Sequence, residues 1–277
     1  MLVDALVAEH DDLRAPEAKL RYLVLRGPLA EVAKPGQFVH IRVSGTHDPL
    51  LRRPISIAAI DRGREEITLC YRVQGRGTGL LAQVKPGETL NVLGPLGNGF
   101  SLPTAGELIL VAGGIGVFPL YALAQAASAA KVPVRLFWGG ENASFLKNAG
   151  LTHWWEMGLP LHLSTLDGSL GQQGLVTDFV QEYFGQRSLA QPEDAETICV
   201  AACGPAGMLR RLSLWCREAG IALEVSLEER MGCAVGACLG CVCTLRGEDG
   251  SPRRAKVCSD GPVFQGQEVV WDAEIRD

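Results

Sequence analysis

Four cysteines near the C-terminus of this 277-residue chain most strongly constrain what it can fold into. Their spacing is C-x4-C-x2-C with a fourth cysteine after sixteen further residues, and they are Cys233, Cys238, Cys241 and Cys258. The first three lie in a segment rich in glycine and alanine, which can wrap closely and direct backbone N–H groups at sulfur. This spacing is typical of a plant-type 2Fe-2S site and predicts such a cluster on these four thiolates.

Other interpretations of these thiols stay open, namely a zinc site with four thiolates, a disulfide pair, or buried apolar side chains. Zinc ribbons usually use two CxxC pairs, whereas only Cys238 and Cys241 form one here, so the spacing favours the cluster. Cys243 follows Cys241 by two residues and is a competing candidate ligand. Because neighbouring residues of an extended segment face opposite sides, we interpret Cys243 as a residue that packs beside the cluster.

The composition disfavours several classes of protein. A formal net charge of −5 argues against nucleic-acid binding, which normally needs a basic face. The nine cysteines are an odd number, and residues 1–15 contain acids and no apolar signal segment, so we expect a reducing, cytoplasmic setting. The longest apolar run, residues 107–123, is interrupted by three glycines and Pro119 and falls short of the ~20 residues of a membrane span. We therefore expect an acidic enzyme with no membrane span and no nucleic-acid partner.

The first third of the chain predicts a small antiparallel barrel. From about residue 20 to residue 93, short runs of β-branched and aromatic residues alternate with turn residues and show no helical period. Pro-Gly turns at residues 35–36 and 86–87 come directly before two of these runs. Within a first domain of residues 1–102, the predicted strands are residues 22–25, 38–43, 55–60, 67–73 and 89–93.

Two segments of the predicted barrel carry groups suited to a flavin nucleotide. A fixed-φ proline beside a planar cation and a small hydroxyl suits a pyrophosphate and the edge of a flavin ring, and this set is Arg53, Pro54, Ile55 and Ser56. The second segment offers an aromatic face, another cation and a glycine-rich turn whose amides can approach phosphate, and it comprises Cys70, Tyr71, Arg72, Gly77 and Thr78. Each segment alone is weak evidence, but in this order they predict an FAD site.

The middle third predicts an α/β domain, residues 103–225, that binds a nicotinamide nucleotide. A nearly continuous apolar run at residues 107–112 is typical of a buried parallel strand and leads through a glycine turn into a helix at residues 120–130. Small residues in such a turn let a phosphate approach the backbone at the helix N-terminus, and here they are Gly113, Gly114 and Gly116. The turn is not a full G-x-G-x-x-G.

Two further residues are predicted to face the nucleotide. Glu141 follows a strand at residues 134–138, where a carboxylate can bond the ribose 2′-hydroxyl and repel a 2′-phosphate, which favours NAD over NADP. A solvated loop acid is the alternative. Cys203 ends a strand at residues 197–202 and is a candidate for the nicotinamide pocket, although a single cysteine is more often a small core residue. Residues 185–196 predict a surface insertion.

The order of these segments resembles that of the ferredoxin-NADP reductase superfamily. The resemblance is carried by Arg53-Pro54-Ile55-Ser56, Gly113-Gly114-Ile115-Gly116 and Cys203-Gly204-Pro205. More specific are residues 226–231, Ser-Leu-Glu-Glu-Arg-Met, before the first cluster cysteine and residues 258–264, Cys-Ser-Asp-Gly-Pro-Val-Phe, from the last. With them, nearly the full length of the chain resembles the electron-transfer subunits of type B, NAD-dependent dihydroorotate dehydrogenase.

The resemblance implies a fold, cofactors and a partner. The implied fold is multidomain, with an antiparallel β-barrel that holds FAD, an α/β domain with a parallel sheet that takes NAD as co-substrate, and a small 2Fe-2S domain at residues 226–277. The implied partner is an FMN-containing catalytic dehydrogenase subunit, in a heterotetramer of two of each, which oxidises dihydroorotate and passes electrons through the cluster and FAD to NAD+. This chain itself has no recognisable base for dihydroorotate, since its five histidines fall in no motif and are interpreted as surface or packing residues.

Two other functions remain open from the sequence. One uses the same chemistry with another partner, as an NAD(P)H:ferredoxin-type oxidoreductase or a transhydrogenase subunit. The other belongs to a different class, a zinc-stabilised binding module without redox activity. A visible absorption spectrum separates this module from the redox proteins, because flavin and iron–sulfur centres absorb visible light and zinc does not.

Overall fold

In the computed structural model, which describes residues 1–14, 18–186, 198–247 and 249–271, the chain forms a closed barrel, a larger sheet with helices on both faces, and a two-stranded sheet. The predicted antiparallel barrel and parallel sheet are confirmed. The predicted insertion at residues 185–196 lies, from residue 187 onward, outside the described residues. In the part of the chain that the structure describes, no helix is both long and apolar enough to cross a membrane.

Six antiparallel strands form the barrel. They are β1 (Leu2–Asp12), β2 (Leu20–Arg26), β3 (Phe38–Ile41), β4 (Arg53–Asp61), β5 (Glu66–Arg72) and β6 (Thr89–Leu96), with the short helices α1 (Leu29–Val32) and α2 (Arg76–Leu81) between them. The strands pair in the order β1-β2-β5-β4-β3-β6, and β1 closes the barrel by pairing with both β2 and β6. The five predicted runs coincide with β2 to β6, whereas β1 is absent from the sequence prediction.

Alternation of side chains along the strands fills the barrel and decides what faces outward. On β3, Val39 and Ile41 lie in the barrel core, whereas Phe38 belongs to the core of the neighbouring sheet. On β5, Leu69 and Tyr71 lie in the barrel core. The intervening residues of these strands therefore form the outer face of the barrel wall, where a cofactor or a second domain can bind.

The larger sheet is parallel except at one edge. Its strands and the small hairpin follow in the order β7 (Glu107–Gly113), β8 (Val134–Gly140), β9 (Leu161–Thr165), β10 (Gln172–Gln173), β11 (Ile198–Cys203), β12 (Ala222–Ser226), β13 (Val242–Arg246), β14 (Pro252–Lys256) and β15 (Val263–Gln265). The sheet order is β10-β9-β8-β7-β11-β12-β15, and only β15 runs antiparallel to its neighbour among the described strands. The hairpin β13-β14 stands apart. The helices are α3 (Val117–Ala129), α4 (Ala143–Asn148), α5 (Leu151–Glu156), α6 (Val176–Gln186) and α7 (Ala206–Ala219).

The position of β7 explains its apolar sequence. It lies between β8 and β11 in the sheet, and helices cover both of its faces, as expected for a central parallel strand. Ile109 and Val111 face the core that contains residues of α6 and α7, whereas Leu108 and Leu110 face the core that contains α3. The chain then enters α3 directly through the glycine turn, three residues earlier than the sequence predicts.

The two faces of the sheet join different neighbours. The core on the α3 side continues into the barrel through Leu20 and Ala58, and the opposite core continues into the cysteine-rich segment through Leu245 and Val257. The backbone N–H of Asn98, just after β6, donates to the carbonyl of Gly261 at 2.5 Å, so the residues that lead into β15 also contact the barrel. The predicted domain boundaries at residues 102/103 and 225/226 stay predictions.

Candidate functional site

The loop between β12 and β13 directs its backbone N–H groups at the predicted cluster cysteines. The donors to Cys233 Sγ, at 3.5, 3.3 and 3.3 Å, are the N–H groups of Val235, Ala237 and Cys238. The N–H of Gly236 donates to Cys258 Sγ at 3.2 Å. The three hydrogen bonds to Cys233 lower the pKa of its thiol to about 6, which favours the thiolate, the form that binds a metal.

Left-handed backbone shapes this loop. Ala234, Gly236 and Leu239 have φ angles of +59°, +80° and +57°. At Gly236 a Cβ atom would also stand 2.9 Å from Ser259 Oγ, so glycine is favoured there by both conformation and space. The loop therefore curls tightly enough to aim consecutive N–H groups at sulfur, as its glycine- and alanine-rich sequence predicts.

The four cysteines are grouped two by two. The thiol of Cys233 interacts with that of Cys238, and the thiol of Cys258 interacts with that of Cys241. Cys241 and Cys258 are buried, Cys233 is half-buried and Cys238 is exposed. Two pairs suit a two-iron cluster, whose four thiolates are shared between two irons. One pair would then lie inside the protein and the other at its surface.

The surroundings of Cys243 differ from those of the four predicted ligands. Within the ranges that the structure describes, no group of three or more His, Cys, Asp or Glu side chains is gathered around one point to hold a single metal ion. Cys243 lies on β13 opposite Ala255 and packs against the adjoining core. Burial raises the pKa of its thiol to about 11, as it does for Cys258, so the position on β13 and not the pKa sets Cys243 apart from the predicted ligands.

The two predicted flavin segments meet on one side of the barrel. Arg53, at the start of β4, lies against the backbone of Gly77 in α2, where a Cβ atom would overlap Arg53 Nε and stand 2.6 Å from Nη2. Arg53 Nη1 donates to the backbone carbonyls of Leu51, at 2.6 Å, and Arg52, at 3.2 Å. The absence of a side chain at position 77 thus gives the guanidinium group its place.

Residues of these segments divide between the two faces of the barrel wall. Ile55 packs against the barrel core, and Tyr71 lies within it, with its hydroxyl group 2.8 Å from His10 Nε2. Cys70 and Arg72 alternate with Tyr71 and so lie on the outer face. Tyr71 therefore offers its backbone, and not its ring, to a ligand outside the barrel, which differs from the aromatic contact that the sequence predicts.

The other predicted flavin residues lie close by. Pro54 and Ser56 are half-buried on β4, where they pair with His40 and Phe38 of β3. Thr78 caps the start of α2, because its Oγ1 accepts hydrogen bonds from backbone N–H groups just before the helix, those of Gln74 at 3.0 Å and Gly75 at 3.2 Å. The hydroxyl of Thr78 thus stabilises the turn on which Gly77 sits.

A cavity of about 1070 Å³ opens at the carboxyl ends of β7, β8, β11 and β12. This edge is where open α/β sheets bind their ligands. The predicted phosphate-binding glycines line it, namely Gly113, Gly114 and Gly116. From the barrel, Arg72 reaches the same cavity and lies over the ring of Phe145 on α4, 5.5 Å from its centroid. The cavity thus lies between the sheet and the C-terminal segment that contains β13, with Arg72 of the barrel at its border. The C-terminal lining residues are Val242, Cys243, Thr244, Val269, Val270 and Trp271.

Close backbone packing requires glycine in this turn. A Cβ atom at Gly116 would stand 2.5 Å from the carbonyl carbon of Cys203 and 2.8 Å from the nitrogen of Gly204. A Cβ atom at Gly113 would stand 2.7 Å from Pro205 Cδ. The ends of β7 and β11 are therefore in direct backbone contact, which keeps the floor of the cavity flat enough for a phosphate to approach.

Glu141 and Cys203 occupy different positions relative to the cavity. Glu141 is exposed and lines it, at the end of β8. Arg135, at the other end of that strand, is paired with Glu107 at 2.9 Å and lies away from Glu141. The Cys203 side chain is 1% exposed and lies beneath the cavity, whose lining includes its neighbour Gly204. The side chain of Cys203 therefore packs beneath the floor of the cavity and supports it, rather than facing a ligand.

Glu228 is a candidate site residue that no sequence motif singles out. It lines the cavity just after β12, and burial among the surrounding groups raises its pKa. Its charge contributes, after burial, to the raised pKa of the Cys203 thiol, so the two groups are near each other. A desolvated carboxyl group in a ligand cavity is a functional candidate. The sequence offers only its place in the run 226–231.

Comparisons with known proteins agree with these observations. The family model for the iron–sulfur cluster binding domain of dihydroorotate dehydrogenase B matches residues 228–270. A relative from Bacillus caldolyticus, named dihydroorotate dehydrogenase B (NAD(+)), electron transfer subunit, is 45% identical over 254 residues, which are 90% of this chain and 91% of the relative. A relative of the same name from Desulforamulus reducens is 40% identical over 245 residues, 88% of this chain and 89% of the relative.

Solved structures extend the comparison. The structure of an NADH-dependent reduced ferredoxin-NADP oxidoreductase, described for flavin-based electron bifurcation, has a TM-score of 0.81 and 28% identity, over 98% of this chain and 91% of the other. A ferredoxin NADP+ reductase from Neisseria gonorrhoeae, with 16% identity and a TM-score of 0.65 over 82% of this chain and 99% of the other, shares the fold. The resemblance inferred from the sequence is confirmed, and the chain belongs to the family of electron-transfer subunits of NAD(+)-dependent dihydroorotate dehydrogenase B.

Proposed function

We propose that this chain is an oxidoreductase subunit that carries electrons between a catalytic dihydroorotate dehydrogenase subunit and NAD by way of a 2Fe-2S cluster and FAD. The observation that carries the proposal is that one chain contains paired cysteines under backbone N–H groups and a cavity at the carboxyl ends of a parallel sheet, bordered by Arg72 of the barrel. Relatives at 40–45% identity that are named electron transfer subunits support it.

The proposed cluster ligands are Cys233, Cys238, Cys241 and Cys258. The donor set fits the group, since backbone N–H groups of the loop point at Cys233 and Cys258 and stabilise negative charge on sulfur. The exposed Cys238 lies between Val235 and Leu239, whose side chains are 55% and 64% exposed. We propose that this apolar rim is where the catalytic subunit approaches the cluster, because an exposed ligand gives the shortest path for an electron.

FAD is proposed to bind the outer face of β4 and β5. Its contacts are assigned to Arg53, Pro54, Ile55, Ser56, Cys70, Tyr71, Arg72, Gly77 and Thr78. The fit rests on the space at Gly77, which seats the guanidinium group of Arg53, and on the outward position of Arg72. Both cations are suited to hold a pyrophosphate. FAD, when bound, supplies the exchange between two-electron hydride chemistry and single electrons that NAD and a 2Fe-2S cluster require.

NAD is proposed to occupy the cavity at the carboxyl ends of the strands. The residues assigned to it are Gly113, Gly114, Gly116, Glu141, Cys203 and Glu228. The glycines leave backbone room for the pyrophosphate, and Glu141 accepts a hydrogen bond from a ribose hydroxyl and repels a 2′-phosphate. Arg135 is engaged by Glu107 at the far end of β8, which supports NAD over NADP. Glu228 would border the nicotinamide, because it lines the same cavity near Cys203.

A transhydrogenase-type function with another partner is the second candidate. The observation that favours it is the TM-score of 0.81 to a structure described as an NADH-dependent reduced ferredoxin-NADP oxidoreductase. The 45% identity to a dihydroorotate dehydrogenase B subunit, against 28% to that structure, favours the first candidate. A non-redox zinc module has no comparable support.

The assembly and setting are part of the proposal. The partner is proposed to contain FMN and to form a heterotetramer with two copies of each subunit, which native mass spectrometry of the co-purified complex tests. The setting is proposed to be reducing and cytoplasmic, as the sequence predicts, because four cysteines are assigned to the cluster and the remaining number is odd. The proposed domains are residues 1–102 for FAD, 103–225 for NAD and 226–277 for the cluster.

The test begins with the purified chain. Its visible spectrum is expected to contain both flavin and iron–sulfur absorption, bleached by NADH faster than by NADPH. Dihydroorotate is expected to bleach neither until the FMN partner is added. A colourless protein that contains zinc would overturn the redox assignment. Bleaching by NADPH in preference to NADH, with no effect of the dihydroorotate dehydrogenase partner, would favour the transhydrogenase candidate.

A further inference from the structure

His40 is a buried polar residue next to the proposed flavin strand. It lies on β3 at 1% exposure and pairs with Pro54 of β4 on one side and Leu93 of β6 on the other. Because Val39 and Ile41 point into the barrel core, alternation places His40 on the outer face of the barrel wall. An imidazole is thus enclosed directly beside the segment that begins β4.

Neither ring nitrogen of His40 has a hydrogen-bond partner among the described residues. Burial, followed by the charges of Arg52 and Arg53, lowers its pKa to about 4, so the ring is neutral and keeps one N–H donor. An interaction with the backbone carbonyl of Arg52 acts against these effects without meeting hydrogen-bond geometry. A buried N–H group without an acceptor costs free energy. If packing were the only role of this position, an apolar side chain would be more stable there.

The same carbonyl is already engaged from the other side. Arg53 Nη1 donates to the carbonyl of Arg52 at 3.2 Å. Arg52, in turn, is anchored through its own side chain, since its Nη1 donates to the carbonyls of Asn91, at 2.9 Å, and His40, at 3.4 Å. The carbonyl of Arg52 therefore has Arg53 as a donor and His40 as a neighbour, and the Arg52 side chain is held by contacts to β3 and β6.

We propose that His40 is a positioning residue of the flavin site, whose N–H supplies the Arg52 carbonyl when Arg53 turns its donors to the FAD pyrophosphate. The inference rests on the proposed function, in which Arg53 binds that pyrophosphate. When a guanidinium group leaves a carbonyl to bind a phosphate, the carbonyl loses its hydrogen-bond donor. That loss costs free energy and opposes the movement of the guanidinium group. With His40 beside it, the Arg52 carbonyl gains a donor at once, while the carbonyl of the exposed Leu51, the other acceptor of Arg53 Nη1, is left to water. Arg53 can then make charge-assisted hydrogen bonds to the phosphate.

The test replaces the imidazole by rings or chains of similar size that lack the N–H. His40→Phe and His40→Leu holoproteins are compared with the parent for the rate of FAD release, followed by flavin fluorescence after dilution. Release is expected to be about tenfold faster, the ratio that loss of one hydrogen bond gives. The unfolding midpoint of the flavin-depleted protein is expected to stay equal or rise, because no hydrogen bond of that state is lost. Asn and Gln carry an amide N–H near the positions of Nδ1 and Nε2, so one of His40→Asn and His40→Gln is expected to restore the parental rate.

Two controls separate positioning from packing. Ile41→Val removes a methyl group from the same strand on the opposite face and reports what general weakening of the barrel does to FAD release. In the Arg53→Ala background, His40→Phe is expected to have no further effect, since the exchange it serves no longer takes place.

The outcomes decide the proposal. A parental release rate in His40→Phe and His40→Leu overturns it, as does acceleration that persists in the Arg53→Ala background or that matches Ile41→Val. Failure of both variants to fold also overturns it, because a positioning role predicts a folded protein that holds flavin weakly. A parent protein that carries no FAD overturns the proposed function instead, whereas a flavin-loaded parent with unaffected His40 variants overturns this inference alone.

Discussion

The guanidinium group of Arg53 occupies the space that a side chain at position 77 would need. A Cβ atom at Gly77 would overlap Arg53 Nε, whereas the Cβ position of Gly79, two residues further along α2, has no atom within 4 Å. Both glycines lie in the same short helix, so they share helix propensity and differ in this contact. Comparing a substitution at Gly77 with the same substitution at Gly79 therefore separates the effect of the contact with Arg53 from any effect on the helix.

Gly77→Ala is expected to displace Arg53 and weaken FAD retention by about one to two decades, because the charge-assisted hydrogen bonds assigned to Arg53 are worth about 1.5–3 kcal/mol. Gly79→Ala is expected to retain FAD like the parent, or better, since alanine favours a helix over glycine. The measurement is the ratio of FAD to protein after extensive dialysis. Equal FAD loss in the two variants would contradict the assigned contact.

Gly116→Ala tests the floor of the proposed NAD cavity. Its Cβ would meet the backbone of Cys203 and Gly204, which cannot move aside as a flexible side chain can. The turn must shift, and we expect the KM for NADH to rise at least about tenfold, while the flavin and cluster spectra stay parental. Gly207→Ala is the matched control, because Gly207 also lines the cavity and has no atom near its Cβ position. An unchanged KM in Gly116→Ala would remove this turn from the NAD site.

Each of Cys233→Ser, Cys238→Ser, Cys241→Ser and Cys258→Ser is expected to lose the 2Fe-2S cluster, whereas Cys243→Ser retains it. The reason is that the first four form two pairs of interacting thiols, while Cys243 lies on β13 and packs against the adjoining core. Iron and sulfide content per protein, with the electron paramagnetic resonance signal of the reduced protein, measures the outcome. Retention in Cys258→Ser together with loss in Cys243→Ser would reverse the ligand assignment.

Glu141→Gln tests the preference for NADH. Removing the carboxylate is expected to narrow the ratio of kcat/KM between NADH and NADPH by roughly fivefold, as ~1 kcal/mol of charge repulsion near the surface predicts. Glu156→Gln, which removes an exposed acid of α5, is the control for net charge. If both variants keep the parental ratio, Glu141 does not face the 2′ position and the preference has another origin.

Much of the fold was predictable because its patterns are local. The apolar run of β7, the glycine turn and the alternating runs of β2 to β6 each carry their own signal. β1 does not, since only Ala5 and Val7 of its eleven residues are buried, and its pairing with β6 joins residues far apart in the sequence. β15 was likewise invisible, because three residues gain their strand geometry only from pairing with β12.

Some features of the candidate site were also predictable from local sequence, and others were not. Spacing alone predicts four cysteines as cluster ligands, since metal ligation imposes a sequence pattern, whereas their grouping into two pairs is visible only in the structure. The inward side chain of Tyr71 depends on the register of the closed barrel, and the neighbourhood of Glu228 and Cys203 depends on strands that meet only in the folded sheet. Individual sequence segments contain neither fact. Such relationships between distant strands are therefore what the structure adds.

The most direct test of the account is dihydroorotate-dependent reduction of NAD+ by this chain with and without the FMN-containing partner, both purified. We expect no turnover by this chain alone, NADH oxidation with artificial acceptors by this chain alone, and NADH formation from dihydroorotate only in the complex. Cys238→Ser in the complex is expected to abolish NADH formation while the partner still reduces an artificial acceptor. Dihydroorotate turnover by the isolated chain, or undiminished NADH formation by the Cys238→Ser complex, would contradict the proposed route of electrons.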